Sequence, residues 1–203
     1  MESVLKAVEE LYNQANVNHL PDWYLRDRAE VYGNFTRFGN VVFHTTVKNR
    51  SAGATVYIGG DDVKQSKLND KQKDIIKNLD KTLKKVHEYM KKAPFICIDR
   101  TMGENSEFNP RCTLFVSMQR KESIRLAYMC GATLFPYKKE AKGPHLNLVY
   151  IPEWQEKDRQ ILVFPDEGVT YVLGSDYYGE SKKGFLRMAM WKAKKQGWLG
   201  LHA

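Results

Sequence analysis

The chain is expected to fold as an α/β protein, with a mixed β-sheet and flanking helices. Three observations predict this class. Short β-branched runs such as Thr55-Val56-Tyr57-Ile58 alternate with segments of helical periodicity. Two of the runs, 161–164 and 169–173, are joined only by Pro165-Asp166-Glu167-Gly168, which makes an antiparallel hairpin. Other runs are separated by helix-length stretches, which makes crossovers, and a sheet carrying both kinds of connection is mixed.

Taken in order, Val4, Leu5, Val8, Leu11 and Tyr12 recur at helical spacing and predict a short amphipathic helix. Residues 16–21 read as a loop. The β-branched stretch 41–47 predicts a strand, 48–53 a polar turn, and 55–58 a second strand ended by Gly59-Gly60-Asp61-Asp62. Asn69 or Asp70 can cap one long helix with the apolar stripe Ile75, Ile76, Leu79, Leu83, Val86 and Met90, stopped by Pro94. Residues 95–99 predict a strand buried on both faces, 102–110 a loop, and 112–118 another strand. Residues 122–130 predict a helix closed by Gly131, and 146–151 a strand. After the hairpin, the last helix is expected over 180–195, ending at Gly197. No internal repeat or low-complexity linker interrupts the chain, so residues 1–203 are expected to form a single domain.

Composition narrows the function classes. The chain is 42% hydrophobic and 28% charged, the balance of a soluble globular domain and not of a disordered tail. No apolar run reaches the roughly 20 residues that span a bilayer, and Met1-Glu2-Ser3-Val4-Leu5-Lys6 has neither a basic start nor a greasy stretch. Cys97, Cys112 and Cys130 sit in apolar surroundings without metal-ligand spacing, so they read as buried free thiols in a reducing compartment. A cytoplasmic location and no membrane partner are expected. A net charge of +8 is compatible with nucleic acid or an acidic small molecule. Many of the lysines fall in 64–92 among interspersed acids, the pattern of a solvated helix face, and no RNA-binding aromatic motif or zinc-finger spacing accompanies them. No nucleic-acid partner is therefore expected. His19, His44, His87 and His145 show no ligand spacing and read as structural or exposed.

The stretch Gly174-Ser175-Asp176-Tyr177-Tyr178-Gly179-Glu180-Ser181-Lys182-Lys183-Gly184-Phe185 joins a predicted strand to a predicted helix. It places two adjacent lysines at the start of that helix. A helix N-terminus carries partial positive charge, and a cation there costs roughly 0.3–1 kcal/mol. An anion docked at the helix end would compensate. Read alone, the pair could equally face water, with Glu180 damping the field.

The same stretch resembles the strand–turn–helix signature of ATP-dependent phosphoenolpyruvate carboxykinases, Gly-Thr-x-Tyr-x-Gly-Glu-x-Lys-Lys followed by a small and an apolar residue. Gly174, Tyr177, Gly179, Glu180, Lys182 and Lys183 match in register, and His202 follows Lys183 by 19 residues, the family spacing. Residues 43–51 resemble the strand entering the family's Gly-Arg-Ser-Pro turn, with Arg50 and Ser51 in the matched positions. Asp99, Gly103 and Arg111 match a later strand–turn–strand, and 123–135 the helix after it. The resemblance covers about residues 40–203 and is strongest from Val169 onward. This chain departs from the pattern at Asn49 and Ala52, which replace the Gly and Pro of the arginine turn, and at Leu114, where the family has a second arginine.

The resemblance implies the fold of a carboxykinase N-terminal, substrate-binding domain. It also implies a lyase that converts oxaloacetate and ATP to phosphoenolpyruvate, carbon dioxide and ADP, in gluconeogenesis. Lys182 and Lys183 would be catalytic. Arg50, Ser51, Tyr177 and Lys183 would bind the substrate, an oxaloacetate- or phosphoenolpyruvate-like acid. Lys183 and His202 would hold Mn²⁺. An amine binds a metal only through a free lone pair, so Lys183 would act as the neutral amine while Lys182 stays charged and holds phosphate oxygens. Arg50 would grip a carboxylate with two parallel hydrogen bonds. The family's phosphate-cradling loop, which binds Mg²⁺-ATP, and the aspartate that completes its metal site have no match in the 203 residues. The expected partner is thus the protein's own C-terminal nucleotide-binding domain, and the chain alone is expected to be inactive. The alternative is a catalytically inactive, carboxykinase-related binding or regulatory protein.

Overall fold

The computed structural model describes residues 3–63, 65 and 67–200. The chain opens with helix α1 (Val4–Tyr12), capped by the Ser3 hydroxyl, which accepts from the Lys6 N–H. Strand β1 (Val17–His19) and helix α2 (Asp22–Glu30) follow, then the small hairpin β2 (Asn34–Phe35) and β3 (Val41–Val42). Strand β4 (Thr55–Tyr57) leads to α3 (Asp70–Lys77) and α4 (Leu79–Met90). Strands β5 (Phe95–Thr101) and β6 (Arg111–Ser117) form an antiparallel pair. Helix α5 (Ile124–Thr133), strand β7 (Phe135–Pro136) and strand β8 (His145–Ile151) come next. The hairpin β9 (Gln160–Phe164) and β10 (Val169–Leu173) then feeds the last helix, α6 (Gly179–Lys195).

The expected mixed sheet is present. Eight strands run in the order β1-β5-β6-β8-β10-β9-β4, with β7 also paired to β5. Strands β6, β8 and β10 are mutually parallel, whereas β5 and β9 run against β6 and β10. Side chains alternate across the central strands. Phe95, Cys97, Val149, Ile151, Tyr171 and Leu173 meet α1, α3 and α4 on one face. Ile96, Leu114, Val116, Leu148, Tyr150 and Val172 meet α2, α5 and α6 on the other. Both faces are covered, so the strands read as continuous apolar runs. All three cysteines are buried free thiols, and burial raises the Cys130 thiol to about 12. No helix among the described residues is long and apolar enough to cross a membrane.

Several expectations are corrected. Residues 16–21 are not simply a loop, because β1 lies parallel to β5. Helix α2 escaped notice because it is polar around most of its circumference and buries only Leu25 and Ala29. Packing on α5 holds it, not an apolar stripe of its own. The predicted strand 41–47 shrinks to the two residues of β3, since the N–H groups of Thr46 and Val47 bond a side chain instead of a neighbouring strand. The predicted long helix is capped as expected, by an Asn69–Gln72 capping box. It is interrupted at Asn78, which leaves the helical range (φ −99°, ψ 11°), and Ile76 faces solvent instead of the core. Gly131 does not close α5. The helix runs through it, and the missing side chain lets the Arg100 guanidinium lie against the backbone and donate to the Gly131 carbonyl at 3.1 Å.

Candidate active site

The stretch 174–185 leaves the C-terminal end of β10 and becomes α6, as expected. Gly174 has φ +71°, and a β-carbon there would lie 3.0 Å from the Trp154 carbonyl oxygen and 3.2 Å from that of Gln155. Only glycine meets both demands. The Ser175 hydroxyl accepts from the Tyr177 N–H at 3.2 Å and tightens the turn. The backbone of Tyr177 is fixed from the sheet side, where the buried Tyr150 hydroxyl donates to its carbonyl at 2.8 Å. Burial, reinforced by the nearby Glu180 carboxylate, raises the Tyr150 phenol well above its ordinary range, so it stays a donor. The Tyr177 ring lies over Gly179, where a β-carbon would come within 2.4 Å of it. At Gly184 a β-carbon would meet Leu148 Cδ1 at 2.2 Å, so this glycine lets α6 press onto β8.

Lys182 is the fourth residue of α6 and Lys183 the fifth, because the helix begins at Gly179. Lys182 is exposed and Lys183 half-buried. Glu180 does not damp their charge. It is fully buried and forms an ion pair with Arg187, two turns further into the helix. Among the described residues, no hydrogen bond or ion pair occupies the side chains of Arg50, Tyr177, Lys182 or Lys183. Two cations near a helix start, with the local acid turned inward, are an arrangement that an anion would relieve.

Asp176 joins this turn to the segment carrying Arg50. Its carboxylate is buried and accepts from the Thr46 N–H at 2.7 Å, the Val47 N–H at 2.8 Å and Arg125 Nη2 at 2.8 Å. The segment is also held where Phe43 packs edge-on against Tyr128 of α5, and the Thr45 hydroxyl donates to the Val47 carbonyl at 2.8 Å. Arg50 follows on an exposed turn, and Ser51 begins a short 3₁₀ turn that enters β4. Sequence reasoning missed Asp176 and Arg125. Asp176 fills the motif's unspecified position, and Arg125 lies in a different helix, so only the fold brings the pair together.

The sequence pattern agrees with a family comparison. A family model for phosphoenolpyruvate carboxykinase of the ATP type matches residues 9–203. The chain belongs to this carboxykinase family. The match reaches further toward the N-terminus than the motif resemblance, taking in α2 and the small hairpin. Phosphoenolpyruvate carboxykinase (ATP) from Aeropyrum pernix is 28% identical over 207 residues, a stretch that takes in 100% of this chain and 38% of that relative. The chain therefore spans well under half the length of that carboxykinase.

The family resemblance implies a metal held by Lys183 and His202. Among the described residues the Lys183 amine has no hydrogen-bond or ion-pair partner, and His202 lies outside them. Among the described residues no three His, Cys, Asp or Glu side chains gather as a metal site.

Asp99 and Arg111, also matched to the family pattern, lie at the other end of the parallel strands. Arg111 Nη2 donates to Asp99 at 3.0 Å, and the Tyr12 hydroxyl and the Thr113 hydroxyl donate to the same carboxylate. Burial alone would raise the Asp99 carboxyl, but these donors hold it below the usual range. The half-buried Tyr12 phenol is pushed up to about 12 by burial and by Asp99. This cluster braces β5, β6 and α1 and is remote from the signature turn.

Proposed function

We propose that the chain is the N-terminal, substrate-binding domain of a phosphoenolpyruvate carboxykinase (ATP)-like lyase, which converts oxaloacetate and ATP to phosphoenolpyruvate, carbon dioxide and ADP in gluconeogenesis. The observation that carries this reading is the signature turn itself. It presents the side chains of Tyr177, Lys182 and Lys183 with no hydrogen bond or ion pair among the described residues, and Asp176 ties the Arg50–Ser51 segment to it. In this reading Arg50 grips a substrate carboxylate and Ser51 supports it. Tyr177 lies against the substrate near the departing carbon dioxide, oriented by Tyr150 and Ser175. Lys182 holds phosphate oxygens and neutralises charge on the phosphoryl group. Lys183 and His202 would hold Mn²⁺. When bound, such an ion supplies Lewis-acid stabilisation to developing negative charge.

Mg²⁺-ATP would be bound mainly by a C-terminal nucleotide-binding domain, the partner this domain needs for turnover, in a cytoplasmic enzyme. The test is a carboxykinase assay on the protein carrying both domains, following phosphoenolpyruvate formation from oxaloacetate with ATP and Mn²⁺. Turnover is expected there and not from residues 1–203 alone. A second reading, an inactive binding or regulatory relative, is favoured by the altered Asn49-Arg50-Ser51-Ala52 turn and its exposed arginine. It predicts binding of the acid by the two-domain protein without phosphoenolpyruvate formation.

A further inference from the structure

On the face of the sheet opposite α6, a groove of about 320 Å³ runs between α3–α4 and the connection from β8 to β9. Lys71, Lys81 and Lys85 line it from the helices and Lys157 from the connection. Among the described residues none of these four is in an ion pair. Two carboxylates also line it, Asp74 and Asp158, and the first already accepts from the Asn78 side-chain amide at 3.0 Å. Arg159 adds a further cation to the lining, and its Nε donates to the Gly174 carbonyl at 2.8 Å. Positive charge thus exceeds negative along the groove.

The groove also holds acceptors that lack donors. Gln160 is only 7% exposed and lines the groove. Its Nε2 donates to the Asp158 carbonyl at 3.1 Å, while its Oε1 has no partner. Beyond Lys85 and Trp154 a second cavity of about 310 Å³ continues to Tyr89 and Glu153. There the Tyr89 and Ser117 hydroxyls both donate to Glu153 Oε1, and Glu153 Oε2 has no partner. Buried acceptors without donors are costly and call for an O–H or N–H from elsewhere. The half-buried Trp154 indole borders both spaces and supplies a flat apolar wall.

We propose that this groove is a second ligand site, for a small phosphate ester bearing hydroxyl groups. Lys81 and Lys85, four apart on α4, would receive the phosphate, with Lys71 and Lys157 adding to the positive field, and Gln160 and Glu153 would accept from the hydroxyls beside Trp154. The size is that of a small-molecule site, at the low end of the roughly 300–1,000 Å³ such sites occupy. The proposal stands apart from the carboxykinase reading, because it concerns other residues on the other face.

The test is calorimetric titration of the protein with inorganic phosphate, ribose 5-phosphate and adenosine 5′-monophosphate. One or both esters should bind, about tenfold or more tightly than inorganic phosphate. Binding of ribose 5-phosphate identifies a sugar phosphate as sufficient, whereas binding of the nucleotide alone assigns the added recognition to the base on Trp154. The Lys81→Gln/Lys85→Gln variant, altered only at exposed positions, should weaken the ester by about tenfold or more. Lys84→Gln, which does not line the groove, should leave it unchanged. Equal binding of phosphate and esters, or undiminished binding in the double variant, overturns the proposal. So does affinity for single-stranded RNA that grows with its length, the behaviour of a plain polycation surface.

Discussion

Asp176 Oδ2 accepts a hydrogen bond from Arg125 Nη2 at 2.8 Å, with both side chains buried, and the same carboxylate accepts the N–H groups of Thr46 and Val47. One acidic side chain in the signature turn therefore fixes α5 and the segment leading to Arg50. Removing one member of a buried pair strands the other charge. Asp176→Ala is expected to cost about 3–5 kcal/mol in urea unfolding. Asp176→Leu combined with Arg125→Met should recover much of that stability, because no uncompensated charge remains. Tryptic cleavage after Lys48 and Arg50 should accelerate in the single and the double variant alike. An unchanged cleavage rate in the double variant would mean that the carboxylate does not hold the segment.

Gly174 combines a left-handed backbone with close approach to the Trp154 and Gln155 carbonyls. Gly174→Ala should destabilise by about 2–5 kcal/mol, through conformational strain plus crowding against backbone. Gly197, after α6, has φ +80° with open space around it, so Gly197→Ala should lose only the strain part, about 1–2 kcal/mol. Thermal unfolding of the two variants checks the difference. Equal losses would show that the contacts at Gly174 relax freely.

Lys182 and Lys183 carry the same charge in different surroundings. In the two-domain protein, Lys183→Arg should lose at least the roughly 10–100-fold that removal of a metal's supporting contact costs, since a guanidinium has no lone pair to offer. Lys182→Arg should lose about tenfold or less, because phosphate accepts either cation. The measurement is phosphoenolpyruvate formation against Mn²⁺ concentration. Equal losses at the two positions would point to a general basic patch, and full activity in Lys183→Arg would remove Lys183 from the metal.

The Asp99 cluster sets an acid-side limit on stability. Its hydrogen-bond donors hold the folded carboxyl below its ordinary value. The unfolded chain therefore binds this proton first, and stability rises with pH wherever the two states differ. The contribution should be complete above the unfolded aspartate value of about 3.9 and should fade as pH drops through the lowered folded value. Asp99→Asn should be less stable at neutral pH and show a flatter decline below about pH 4. Urea midpoints from neutral to acid pH test this, and parallel curves for the two proteins would assign the acid sensitivity elsewhere.

Much of this architecture was legible before any coordinates. The central strands alternate neatly and are buried on both faces, so their apolar runs announced them. A cap at Asn69 or Asp70 was legible as a local signal, and the structure places it at Asn69, with Gln72 completing a capping box. The signature was legible too, because its glycines answer local demands: a left-handed turn at Gly174, a ring over Gly179, a helix pressed on a strand at Gly184. Helix α2 was not legible, since a mostly polar helix stabilised by a neighbour carries no periodicity of its own. Residues 43–47 misled for the opposite reason, as their β-branched composition suits a strand but their N–H groups bond Asp176.

By itself, then, the sequence determined the central strands, the amphipathic helices, the buried thiols and the lysine pair at the start of the last helix. These depend on spacing, size and charge within a few residues. The tertiary structure alone decided that Glu180 turns inward to Arg187, leaving the lysines without their nearest acid. It alone decided that Asp176 binds Arg125 and the Arg50 segment. A buried charge must find its counter-charge wherever the fold brings one; Glu180 finds it within its own helix, whereas Asp176 finds it 51 residues away, where no local pattern can announce it.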